Sequence, residues 1–210
     1  MAQPRAVHFV YDKKTYLHLI GSYNNWATNA SMSRVLQGED GIFRGFVFFP
    51  ADGEFKFASQ PNWDGTNYGA GEEAGTISTD GVAKNISAAA NLYYVTADID
   101  KLVFTMEPVT VSVALGDRDE KMVYNAADKT WVAIADVSEG DSYTLKFSGV
   151  DGLALGGEEK NLEFGGQSLA TAAGGIVSFK LSIFDYPYSV AVGEVTEDAG
   201  KLYVAHSVNG

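Results

Sequence analysis

Short runs of β-branched and aromatic residues, cut apart by glycine, asparagine, aspartate and proline, restrict this chain to an all-β fold. Tyr16 to Ile20, Ile42 to Phe49, Glu54 to Ala58, Leu92 to Ile99 and Leu102 to Met106 are such runs. No stretch sustains a helical period, and Ala88-Ala89-Ala90 is too short to count. Phe43, Phe46 and Phe48 lie near a strand alternation with one slip, which reads as a bulge.

The runs come in two similar sets. Pro108 ends a strand, and Val109-Thr110-Val111-Ser112-Val113 opens a fresh alternating one. Phe43-Arg44-Gly45-Phe46 then corresponds to Trp131-Val132-Ala133-Ile134, and Phe55-Lys56-Phe57 to Leu145-Lys146-Phe147. Gly71-Glu72-Glu73 corresponds to Gly157-Glu158-Glu159, and Leu92 to Ile99 to Val177 to Phe184. The order is kept at offsets of 85 to 90 residues. Repetition in an all-strand chain predicts two tandem immunoglobulin-like β-sandwich domains, residues 1–108 and 109–210. The run Leu202 to Asn209 reads equally as the first strand of a truncated third repeat or as an edge strand of the second domain.

Composition removes several function classes. The 210 residues carry a net charge of −12, which opposes binding to nucleic acid phosphates or to an anionic membrane surface and suits a neutral ligand. There is no cysteine, so disulfides and thiolate metal sites are excluded. No apolar run approaches the roughly 18 residues of a membrane span, and Met1-Ala2-Gln3-Pro4-Arg5 shows no apolar leader core. The histidines His8, His18 and His206 are too scattered for a metal site. Glu72-Glu73 and Glu158-Glu159 sit in glycine turns as solvated pairs rather than catalytic carboxylates, and Asp98 and Asp100 lack a calcium-loop context. No nucleophile elbow, phosphate loop or dinucleotide fingerprint is present, so no catalytic residue, metal or cofactor is expected.

The unusual chemistry lies in the first half. Gly21-Ser22-Tyr23-Asn24-Asn25-Trp26 is followed by Glu54-Phe55-Lys56-Phe57, by Asn62-Trp63 and by Lys84-Asn85-Ile86. Trp63 stands between Pro61-Asn62 and Asp64-Gly65, strong turn chemistry that favours an exposed ring. Lys56 lies between two phenylalanines and so faces away from the core. Over residues 6 to 108, this order resembles the starch- and glycogen-binding sandwich modules of carbohydrate-binding module family 48. It resembles still more the repeated modules of the Bacteroidetes outer-membrane starch-binding lipoproteins SusE and SusF, through Glu54 to Asp64 with Asn67-Tyr68-Gly69 behind.

The resemblance implies a non-catalytic, starch-binding surface lipoprotein acting near an outer-membrane transporter and an amylase, with leader and lipid-bearing cysteine outside this sequence. It implies that Trp26 and Trp63 form a platform under consecutive glucose rings and that Lys56 and Asn85 bond ring hydroxyls. Tyr68 is read as an extension of the platform or as packing beneath the loop. Covering about 80–100 Å² of a sugar's apolar face is worth roughly 2 kcal/mol, which after the association cost gives affinities on the order of micromolar to millimolar.

The second half departs from the pattern. Gly116-Asp117-Arg118-Asp119 stands where the first tryptophan loop should be, Gly149-Val150-Asp151-Gly152 replaces the second, and Ser168 stands near the position of Asn85. Lys146 alone remains, and Trp131 aligns with Phe43 as a core residue. This half is predicted not to bind glucan at the equivalent place. The competing reading is a structural or interaction protein of a glycan-uptake complex that keeps the fold without sugar binding. An enzyme fragment is a third. Two exposed indoles within about 10 Å of each other, flanking Lys56, favour the binding module; buried ones favour the scaffold.

Overall fold

A computed structural model describes residues 15–28 and 33–195. His8, His206 and the Leu202 to Asn209 run lie outside the described residues.

The first nine strands among the described residues belong together. They are β1 (Tyr16–Gly21), β2 (Ser33–Gln37), β3 (Phe43–Phe49), β4 (Gly53–Gln60), β5 (Asn62–Ala70), β6 (Ile77–Ser78), β7 (Ile86–Ala88), β8 (Asn91–Asp98) and β9 (Val103–Pro108). Their order is β6-β5-β4-β1-β2-β3-β8-β9, with β7 also on β4. The two ends of this sheet meet. Thr76 bridges Val103, the Ile77 N–H donates to the Leu102 carbonyl at 2.9 Å, and the Phe104 N–H donates to the Gly75 carbonyl at 2.8 Å. Closure removes the exposed sheet edges and wraps a core that includes Leu17, Leu19, Val35, Phe43, Phe55 and Phe57.

Ten further strands follow. They are β10 (Thr110–Leu115), β11 (Arg118–Lys121), β12 (Val123–Asn125), β13 (Thr130–Val137), β14 (Ser142–Ser148), β15 (Ala154–Glu158), β16 (Asn161–Phe164), β17 (Leu169–Ala170), β18 (Gly175–Ser182) and β19 (Ser189–Glu194). One sheet runs β11-β10-β14-β15-β16 with β17 on β14; the other runs β12-β13-β18-β19. The pairings β10-β14-β15-β16 and β13-β18-β19 mirror β1-β4-β5-β6 and β3-β8-β9, and β17 sits on β14 as β7 sits on β4. The architecture is all-β sandwich, built from antiparallel ladders throughout.

The phenylalanine pattern of β3 has a different cause from the expected bulge. The ladder between β3 and β8 runs without a slip from Phe43↔Ala97 to Phe49↔Asn91. Phe43, Val47 and Phe49 fill the first core, while Phe46 enters a core formed mainly by the later strands, with Phe48 packed against it. Leu92 and Tyr94 of β8 do the same. Both faces of the β3–β8 pair are therefore covered, and the alternation was masked because neither face is wet. Phe46 stacks on Phe147 at a centroid distance of 4.4 Å, and Phe48 meets Trp131 edge-on at 5.3 Å. Trp131 is buried, as its alignment with Phe43 predicted.

A polar latch flanks this layer. Arg34 Nε donates to Asp185 at 2.6 Å, its terminal nitrogen donates to the Tyr186 carbonyl at 3.1 Å, and its guanidinium lies 4.4 Å over the Tyr16 ring. His18, opposite Arg34 in the β1–β2 ladder, is buried, and its Nδ1 has no hydrogen-bond partner. Burial first, and Arg34 second, lower its pKa, while Asp185 opposes them.

Two outcomes follow. Phe46→Ala should cost roughly 3–5 kcal/mol in urea unfolding, because it opens a cavity between stacked rings. For His18, the unfolded chain takes up the proton first, so stability should fall as pH drops below the ordinary value of 6.5. His18→Gln should flatten that slope in melts taken between about pH 5 and 7.5.

Candidate functional site

The turn after β1 is built to present one ring. Gly21 lies so close to β4 that a Cβ there would meet the Glu54 carbonyl oxygen at 2.5 Å and Phe55 Cβ at 2.6 Å. Ser22 Oγ accepts the Glu54 N–H at 3.0 Å. Tyr23 turns inward, edge-on to Phe49 at 5.2 Å, and its hydroxyl accepts the Ser33 N–H at 2.8 Å. Asn24 Oδ1 accepts from the Gly21 N–H at 3.3 Å, and its Nδ2 donates to the Ala27 carbonyl at 3.0 Å. Asn25 and Trp26 then both take left-handed backbone angles, with φ of 56° and 58°.

That conformation is strained for tryptophan, at about 1–2 kcal/mol. Two contacts offset it. The Trp26 N–H donates to the Gly21 carbonyl at 2.8 Å, and the indole packs on Ile20 and Ala58, both fully buried although they point out of the first core. The ring thus seals a small apolar patch on the outer face of β1 and β4.

The second ring comes from β5. Pro61 makes the tight turn between Gln60 and Asn62, and Trp63 follows as the second residue of the strand rather than as part of the turn itself. The Asn62 side chain accepts the Asp64 N–H at 2.9 Å, and Asn67 Nδ2 donates to the Trp63 carbonyl at 2.9 Å. Trp63 is 40% exposed. The two indoles stand 6.3 Å apart, centroid to centroid, with planes inclined by 34°.

Strand register brings in the polar groups. Lys56 pairs with Ile20 across β1–β4, on the same outward face as Glu54 and Ala58. On the other side, Phe55 pairs with Ile86, so Asn85 follows next to Lys56. Trp26, Trp63, Lys56 and Asn85 all line one open cleft of about 640 Å³. Asn85 Nδ2 donates to the Glu54 carboxylate at 3.0 Å.

Tyr68 is a correction. It pairs with Phe57 in the β4–β5 ladder, which directs its ring into the first core, where it is 7% exposed. It lies under the cleft and contributes no surface to it. Gly65 and Asn67, quoted above only within motifs, and Thr66, Thr79, Asp80 and Gly81, which sequence reasoning missed, complete the walls. Asp80 organises the far wall by accepting the Val82 N–H at 3.1 Å. The string Ser78-Thr79-Asp80-Gly81 has turn chemistry, but only the fold shows which surface that turn faces.

At the equivalent place in the later strands, Lys146 on β14 is bound to Asp119 at 2.7 Å. The hollow beside it holds about 580 Å³ and is lined by Val150, Asp151 and Leu153, with no indole. Among the described residues no group of acidic or histidine side chains is placed to hold a metal ion.

An all-β module with an open, tryptophan-walled cleft is the class that fold and site define, and comparison with known proteins makes it narrower. Residues 16–105 match the family model described as SusF/SusE starch specific CBMs, and over these residues the chain is SusE/SusF-like. No curated protein matches it. The crystal structure of SusF from Bacteroides thetaiotaomicron is similar at 15% identity and a TM-score of 0.37, over 85% of this chain and 48% of that one. The chain spans about half the length of that protein.

Gly21→Ala should disrupt the β1–β4 pairing that sets this geometry. A loss of roughly 1–3 kcal/mol in thermal or urea unfolding, together with a changed tryptophan emission, is the expected result.

Proposed function

We propose that this protein binds starch-like α-glucan without transforming it, through a platform of Trp26 and Trp63 flanked by Lys56 and Asn85. The observation that carries this reading is the pair of indoles 6.3 Å apart and inclined by 34°. Coplanar rings fit a flat chain. Inclined rings fit a curved one, and α-linked glucan is curved. Each ring offers a flat apolar surface to the axial hydrogens of a sugar, and Lys56 and Asn85 supply hydrogen bonds at the edge. The family description over residues 16–105 points to the same ligand class.

In this reading residues 1–108 form the binding unit. Residues 109–210 form a degenerate repeat that holds no sugar at the corresponding place, because Lys146 is already paired with Asp119 and the one ring lining the hollow, Phe147, is buried and stacked on Phe46. In the same reading the protein acts at the outer-membrane cell surface, beside transporter proteins that take up the glycan; its likeness to SusE and SusF over residues 16–105 supports this.

Affinity electrophoresis in gels containing amylopectin, glycogen, dextran or xylan tests this. The wild type should be retarded by the two α-1,4-linked polymers and not by xylan. Trp63→Ala should weaken retention on the order of tenfold to a hundredfold, the worth of one stacked ring. Lys146→Ala should leave retention unchanged. Free migration of the wild type in every gel would leave the non-binding scaffold reading in its place.

A further inference from the structure

The geometry points to Glu54 as a positioning residue of the cleft, one that orients the Asn85 amide for an incoming hydroxyl. This inference rests on the glucan-binding reading above. Glu54 does not line the cleft, yet it touches two of the segments that furnish it. Its backbone N–H donates to Ser22 Oγ at 3.0 Å and ties β4 to the turn carrying Trp26. Its carboxylate accepts from Asn85 Nδ2 at 3.0 Å.

The second bond decides which way round the amide sits. An asparagine side chain is nearly symmetric in shape but has a donor at one end and an acceptor at the other. A carboxylate accepts only, so it holds the Nδ2 end and leaves Oδ1 available. Lys56, the next neighbour across the ladder, donates only. A fixed Asn85 therefore sets an acceptor beside a donor on the cleft edge. Each sugar hydroxyl both donates and accepts, so two adjacent hydroxyls meet complementary partners. With the amide free to turn over, part of the population would present a second donor beside the ammonium group and lose that match.

The strand explains why Glu54 can do this. Glu54 and Lys56 are two residues apart on one outward face, with Phe55 and Phe57 anchoring the other face in the core. A carboxylate two positions before the lysine sits diagonally across the ladder from the residue beside that lysine, Asn85, and reaches its amide.

Three proteins decide it: wild type, Glu54→Ala and Glu54→Gln. Both variants remove the charge, but only glutamine keeps an acceptor for Asn85. Calorimetry with maltoheptaose should show Glu54→Ala weakened about three- to tenfold, the size of one hydrogen bond, and Glu54→Gln within about twofold of wild type. Without ligand, the Asn85 side-chain amide should show restricted motion by ¹⁵N relaxation in wild type and Glu54→Gln, and freer motion in Glu54→Ala. Equal affinities, or equal losses in both variants, would overturn the positioning role, the latter assigning the effect to charge. Unaltered Asn85 motion in Glu54→Ala would overturn it too. If the wild type binds no glucan, the reading under Proposed function fails, and the relaxation data alone judge whether Glu54 holds the amide.

Discussion

Burial of the β3–β8 pair on both faces is the constraint on which the rest is built. A strand pair wet on one side leaves its neighbours free to shift; one sealed on both sides fixes two cores at once. Phe43, Val47 and Phe49 set the interior of the closed sheet, while Phe46, Leu92 and Tyr94 reach into the packing of the later strands. With that layer fixed, β1, β2 and β4 have determined places on the far side. The cleft is carried there, on the outward face of β1, β4 and β5, so its floor is a sheet that cannot slide.

The cleft itself shows how a binding surface is assembled from residues distant in sequence by local rules alone. Alternation puts Glu54, Lys56 and Ala58 on one face of β4. Register lays Ile20 beside Lys56, and the next step beyond the Phe55↔Ile86 pair brings in Asn85. A strained turn, held by Ser22, Asn24 and Gly21, drops an indole over Ile20 and Ala58. None of these steps needs an α-helix, a metal or a buried charge; the turn itself is a single 3₁₀ turn over Ser22–Asn24. Two consecutive left-handed residues, at some cost in strain, turn the chain out of the strand direction so that Trp26 packs on Ile20 and Ala58.

Much of this was legible beforehand, and the misses have definite causes. Strand positions could be read because aromatic and β-branched runs end at turn residues. The grouping of Trp26, Lys56, Trp63 and Asn85 was implied by the resemblance of their motifs to starch-binding modules, since neither spacing nor periodicity by itself shows that residues on four separate segments meet. Of the two readings of Tyr68, a platform extension fails and packing beneath holds; the sequence could not choose because its direction depends on the ladder with Phe57, and the register shift between Ala58 and Gln60 obscures the count from Trp63. The apparent slip at Phe46 and Phe48 misled because a strand covered on both faces carries no polar face to mark its phase. Thr79, Asp80 and Gly81 look like any solvated turn until the fold brings them across from the tryptophans.

The two sides of the Trp26 ring have separate employments. Its inner side roofs Ile20 and Ala58, which would otherwise be oily spots in contact with water; the rest of it lines the open cleft, where a guest would sit. A lineage that no longer needs the guest still needs the roof. The indole can therefore outlast the function it serves, or be exchanged only for another bulky apolar group. Its presence in a relative is thus weaker testimony to sugar binding than the presence of Trp63, which shelters nothing comparable and has little reason to persist once the guest is gone.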